Sequence, residues 1–76
     1  MSEPLSMIKR GKAVYVRYID GSERCKKHLE EMGFLPGTPL VVSRICDGPL
    51  VVAVRGSKLI LGQKLAQKIM VDHFLN

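Results

Sequence analysis

The segment Leu29-Glu30-Glu31-Met32-Gly33-Phe34-Leu35-Pro36-Gly37-Thr38-Pro39-Leu40 constrains the fold of this chain more than any other stretch. It encodes a helix end, a forced reversal and the start of a strand in direct succession. Upstream, Cys25, Leu29 and Met32 recur at i, i+4 and i+7, the spacing of one apolar helix face. Gly33 stands where that helix must stop, and glycine adopts the left-handed conformation of a helix exit without steric cost. Phe34 is then placed to fold back on the last turn, against Leu29. Pro36 supplies the fixed φ and Gly37 the positive φ of a type II turn. Gly33, Pro36 and Gly37 are therefore structural residues that join two elements rigidly.

The rest of the chain reads as short strands around this exit. Ala13 to Ile19 is rich in Val and Tyr and is predicted to be the first strand. Ser22 suits an N-cap and Glu23 the positive end of the helix dipole, so the helix is expected to run to about Met32. Leu40 to Cys46 and Leu50 to Arg55 are β-branched runs around Asp47-Gly48-Pro49, a hairpin signal. Gly56-Ser57 is expected to turn the chain into Lys58 to Leu61, and Gly62 to end that strand. A helical turn carrying Leu65, Ala66 and Ile69 follows, and Ile69 to Val71 returns to the sheet.

About five strands and one helix in 76 residues make a single domain, residues 1–76, with its first residues through Ser6 expected to fray. A chain of this size buries only about 60% of its unfolded surface. With no Trp, two Tyr and two Phe, its core must be built from Val, Ile, Leu and Met. A flat sheet cannot bury those side chains, so the fold expected is a mainly β structure closed into a small barrel, with one inserted helix.

Several function classes find no support in the residues. Ser22, Ser43 and Ser57 lack a histidine base and an elbow glycine pattern, and the glycines match no phosphate-binding loop. Neither an enzyme nor a bound cofactor is expected. Cys25 and His28 stand at i and i+3 on the predicted helix, with His73 or Cys46 as conceivable further ligands. Cys25 falls on the apolar face, where a thiol acts as a small hydrophobe, and nothing fixes Glu30, Glu31 or Asp47 beside His28. No metal site is expected, and both cysteines are read as reduced thiols. The start, Met1-Ser2-Glu3-Pro4, has no signal-peptide pattern, and the longest apolar run, Leu50 to Val54, is far short of the ~20 residues that span a bilayer. A cytoplasmic location without membrane insertion is expected.

The net charge of +5 suits a nucleic-acid-binding barrel, an acidic protein partner or peripheral contact with anionic lipid. The basic residues are spread along the chain, and Tyr15 and Tyr18 are expected on opposite faces of one strand, which argues against a base-stacking platform. Phe34 and Leu35 could form an apolar anchor for a partner, rimmed by Lys26 and Lys27. For Phe34 the favoured reading is a staple over the helix end.

Taken together, Gly11 before the first strand, the Leu29-Glu-Glu-Met-Gly-Phe-Leu-Pro-Gly exit and Val54-Arg55-Gly56 resemble the FeoA family, as do Leu59-Ile60-Leu61, Leu65-Ala66 and Ile69-Met70-Val71. The resemblance spans Leu5 to Asp72. It implies a Src-homology-3-like β-barrel and a non-enzymatic accessory role in bacterial ferrous-iron uptake, through contact with the cytoplasmic region of the FeoB transporter. The rival readings are a small basic nucleic-acid-binding barrel and a regulatory barrel of the kind found in iron-dependent repressors. A complete repressor would need a DNA-reading helix pair, and none is expected before Ala13.

Overall fold

Ser22 begins the helix by accepting a hydrogen bond from the Cys25 backbone N–H at 3.1 Å. In the computed structural model, which describes residues 1–45 and 48–75, this helix is α1 (Glu23–Glu31). Its exit has the expected geometry. Gly33 has φ +109°, its N–H donates to the Glu30 carbonyl, and the Phe34 N–H donates to the Leu29 carbonyl, each at 3.0 Å. These two bonds are the Schellman pair, which satisfies carbonyls the helix itself leaves open.

The strands are β1 (Glu3–Pro4), β2 (Ala13–Ile19), β3 (Pro39–Ile45), β4 (Leu50–Val54), β5 (Ser57–Leu61) and β6 (Ile69–His73). A 3-10 turn, Leu5–Met7, follows β1, and a short helix α2 (Gln63–Ala66) precedes β6. The strands form one antiparallel sheet in the order β1-β6-β2-β3-β4-β5. It curls around a single core of aliphatic side chains and Phe34, with Leu29 and Phe34 entering from α1 and its exit. The two ends of the sheet, β1 and β5, do not pair, so the barrel is not closed by hydrogen bonds among the described residues.

Four expectations need correction. The first residues are not frayed: Glu3 and Pro4 pair with Val71 and Met70, and Leu5 is fully buried. An apolar side chain that enters the core fixes a segment too short to show any periodicity. This also raises the strand count to six. Second, the β4–β5 turn is Arg55-Gly56, one residue earlier than expected, since Val54 pairs with Ser57. Arg55 has φ +51° and Gly56 φ +79°, the paired positive values of a type I′ turn. Third, the register of β2 on β6 shifts between Val16 and Tyr18. That bulge adds Arg17 to the outer side, so Val14, Val16 and Ile19 all point inward and Tyr15 and Tyr18 share the outer face. Fourth, β3 begins at Pro39, not Leu40. Cys46 and Asp47, at the tip of the expected β3–β4 hairpin, lie outside the described residues, while Ile45 and Leu50 pair beside it.

Candidate functional site

The helix exit is locked to the middle of β2. The Thr38 N–H donates to the Leu35 carbonyl at 2.9 Å, closing the Leu35-Pro36-Gly37-Thr38 turn, and Gly37 has φ +87°. The Gly37 N–H donates to the Val16 carbonyl at 2.7 Å, and the Val16 N–H donates to the Thr38 carbonyl at 3.0 Å. These bonds hold Leu35 at the outer edge of a rigid turn, 39% exposed. Phe34 has 0% exposure and belongs to the core. It is therefore removed from the predicted partner surface, because a side chain that completes the core and follows the Schellman bonds cannot also reach a partner.

Beside the exit lies a groove of about 350 Å³ between the end of α1 and the β4–β5 hairpin, lined by Glu30, Glu31, Met32, Gly33, Val54, Arg55, Ser57 and Leu59. The Arg55 stem lies across Gly33, close enough that a Cβ on Gly33 would stand 3.2 Å from Arg55 Cδ. Gly33 thus serves two needs, a positive φ and a flat bed for Arg55. The groove offers two carboxylates and one guanidinium, and the sequence marked Arg55 only as part of the Val54-Arg55-Gly56 strand end, not as a site residue.

Lys26 and Lys27 are exposed on α1, one turn or more before the exit. Glu30 and Glu31 follow each of them by four residues, so the basic rim passes into an acidic one at the groove. Leu29 is the buried residue of α1, and Cys25 and Met32 pack against the core beside it. Cys25 is half-buried and His28 exposed. His73 contacts Glu3 across β6 and β1, with Nε2 and Oε2 3.1 Å apart. Among the described residues no cluster of three or more His, Cys, Asp and Glu is arranged to hold a metal ion, and Cys46 lies outside them.

A second surface follows from the β2 bulge. Tyr15 stacks at a tilt on Phe74, with ring centroids 5.2 Å apart, and Tyr18 is 50% exposed on the same outer face. Arg17 Nε lies 3.2 Å from Asp72 Oδ2 between them, so the face carries aromatic rings around a neutralised ion pair. Sequence alternation hid this face because a bulge reverses the side to which every later residue points. No helix among the described residues is long and apolar enough to cross a membrane.

Comparison with known proteins gives a consistent result. Residues 3–73 match the model of the FeoA domain. The chain is 38% identical over 69 residues to the "Putative Fe(2+) transport protein A" of Methanocaldococcus jannaschii, covering 91% of this chain and 84% of that protein. A crystal structure of an iron uptake regulatory protein, FeoA, superposes with TM-score 0.88 at 31% identity, over 97% of this chain and 99% of the other. Zinc-complexed Stenotrophomonas maltophilia FeoA, described as a prokaryotic SH3 domain protein, shares the fold with TM-score 0.79 at 22% identity, over 95% of this chain and 89% of that one. A manganese-dependent transcriptional repressor also shares it, with TM-score 0.87 at 23% identity, over 96% of this chain but 37% of the repressor.

Proposed function

The chain belongs to the FeoA family, and on that premise we propose that it is a non-enzymatic accessory factor of ferrous-iron uptake that acts by docking on the cytoplasmic region of a FeoB-type transporter. The observation that carries this reading is the family match over residues 3–73, nearly the whole described structure. The helix exit supports a contact role. Leu35 is an apolar side chain held exposed by a turn that is bonded to β2, so a partner can bury it without ordering a loop. Lys26 and Lys27, with the chain's net charge of +5, attract an acidic counterpart over distance.

Surface plasmon resonance on the purified cytoplasmic region of the transporter tests this. Lys26→Glu with Lys27→Glu should slow association and flatten its salt dependence, while Leu35→Asp should chiefly speed dissociation. Phe34 variants are unsuitable, since they disturb the core.

A second reading is favoured by one observation, the shared outer face of Tyr15, Tyr18 and Phe74, which could stack unpaired bases. The Arg17–Asp72 pair works against it by placing a carboxylate in the middle of that face. Undetectable transporter binding at high micromolar concentration, together with salt-sensitive binding of single-stranded DNA or RNA that Tyr18→Ala weakens, would replace the first reading with this one.

A further inference from the structure

The sheet ends on β5, which pairs with β4 on one side only. In a two-residue hairpin the flanking pair, here Val54 and Ser57, exchanges both N–H···O bonds, and bonded pairs alternate from there. Leu59, opposite Val52, and Leu61, opposite Leu50, therefore turn their backbone groups toward β4. The N–H and C=O of Lys58 and Ile60 point out from the edge of the sheet. The side chains single out the same two residues. Leu61 is buried and Leu59 half-buried, whereas Lys58 is exposed and Ile60 is 75% exposed. A β-branched residue this open on an edge strand is a feature that natural sheets usually cover or blunt.

The other edge cannot cover it, since β1 has two residues, one of them proline, and lies at the opposite end of the sheet. A second copy of the chain is a poor occupant. Pairing of two β5 edges would bring two basic chains together. A net charge of +5 on each copy adds repulsion, and the register that sets Lys58 against Lys58 is the worst case. The charge around the edge selects a different occupant. Lys58 is the one charged side chain of β5, on a chain of net charge +5, while Glu30 and Glu31 line the groove on the Ser57 and Leu59 side of the strand, opposite to the side that Lys58 and Ile60 present.

We propose that the β5 edge accepts an extended acidic and apolar segment of another protein as an added antiparallel strand. Lys58 and Ile60 each exchange two main-chain bonds with the residue opposite. Antiparallel register then places the partner's apolar residue, opposite Ile60, two positions before its carboxylate, opposite Lys58. The recognition pattern is apolar-x-acidic, read from N- to C-terminus. This goes beyond the transporter reading, because it defines the chemistry of the strand whichever protein carries it.

The test is an NMR titration of the ¹⁵N-labelled full chain with an acetylated, amidated peptide, Thr-Thr-Ile-Thr-Glu-Thr-Thr. Two control peptides carry Lys in place of Glu, or Ile and Glu exchanged. The expected result is shifts confined to β5 and its turn, slower exchange of the Lys58 and Ile60 amides, and binding weakened roughly ten-fold in either control. Ile60→Pro should abolish binding with the hairpin intact, because the Ile60 N–H has no partner in the ladder. Should that variant fail to fold, Lys58→Glu decides, since it must reverse the preference between the Glu and Lys peptides. Equal affinity for all three peptides, shifts centred elsewhere, or no binding at millimolar peptide would overturn the proposal. So would Lys58 and Ile60 amides already protected in proportion to protein concentration, which would assign the edge to a second copy.

Discussion

Gly33→Val is expected to destabilise the protein by more than about 1 kcal/mol, because a β-branched side chain is strained at φ +109° and its Cβ would also press on the Arg55 stem. Urea denaturation of the variant checks this, and an unchanged midpoint would contradict the Schellman exit. Phe34→Ala should cost more, about 3–5 kcal/mol, since it empties a fully buried site at the junction of helix and sheet. A smaller loss would return Phe34 to the partner surface. Gly33 and Gly37 were legible in the sequence because few residues other than glycine can take their backbone conformations. Arg55 was not legible for the mirror reason. Positive φ is uncommon for arginine, and Gly56-Ser57 beside it carries the stronger turn signal.

At the scale of elements, Ser22→Ala should cost about 1 kcal/mol by removing the cap at the Cys25 N–H, leaving a donor of the first turn without its partner. Leu5→Ala separates two accounts of the N-terminal segment. If Leu5 anchors β1 and the following 3-10 turn in the core, the cost is about 2–5 kcal/mol, whereas a frayed segment would show none. The midpoint of thermal or urea unfolding reads both variants. Helix α1 and strands β2 to β6 were legible because each carries its own periodic signal or turn residues. Strand β1 was not, since two residues have no period and exist as a strand only through pairing with β6, nearly the whole chain away. The bulge at Arg17 escaped for the same kind of reason. It is a property of how β2 sits on β6, and composition does not show that one residue has been inserted.

For the whole molecule, the placement of donors predicts how it meets ferrous iron. Among the described residues, the ligand candidates are not gathered into a cluster by the fold. Cys25 packs against the core beside Leu29, His28 faces solvent, and His73 is engaged with Glu3 at the far end of the chain's pairing. A transition-metal site needs three or more donors held at bonding distance before the metal arrives, or a chain that can reorganise to supply them, and a rigid sheet with α1 bonded at both ends resists reorganisation. Anaerobic titration calorimetry of the full chain with ferrous iron is therefore expected to show no stoichiometric binding tighter than roughly micromolar. The result that overturns this is a one-to-one isotherm in that range that is lost in Cys25→Ser or His28→Ala. Such an isotherm would mean that the helix donors recruit a further ligand. The protein would then bind the ion itself, and the proposed docking on a transporter would be expected to differ with iron present.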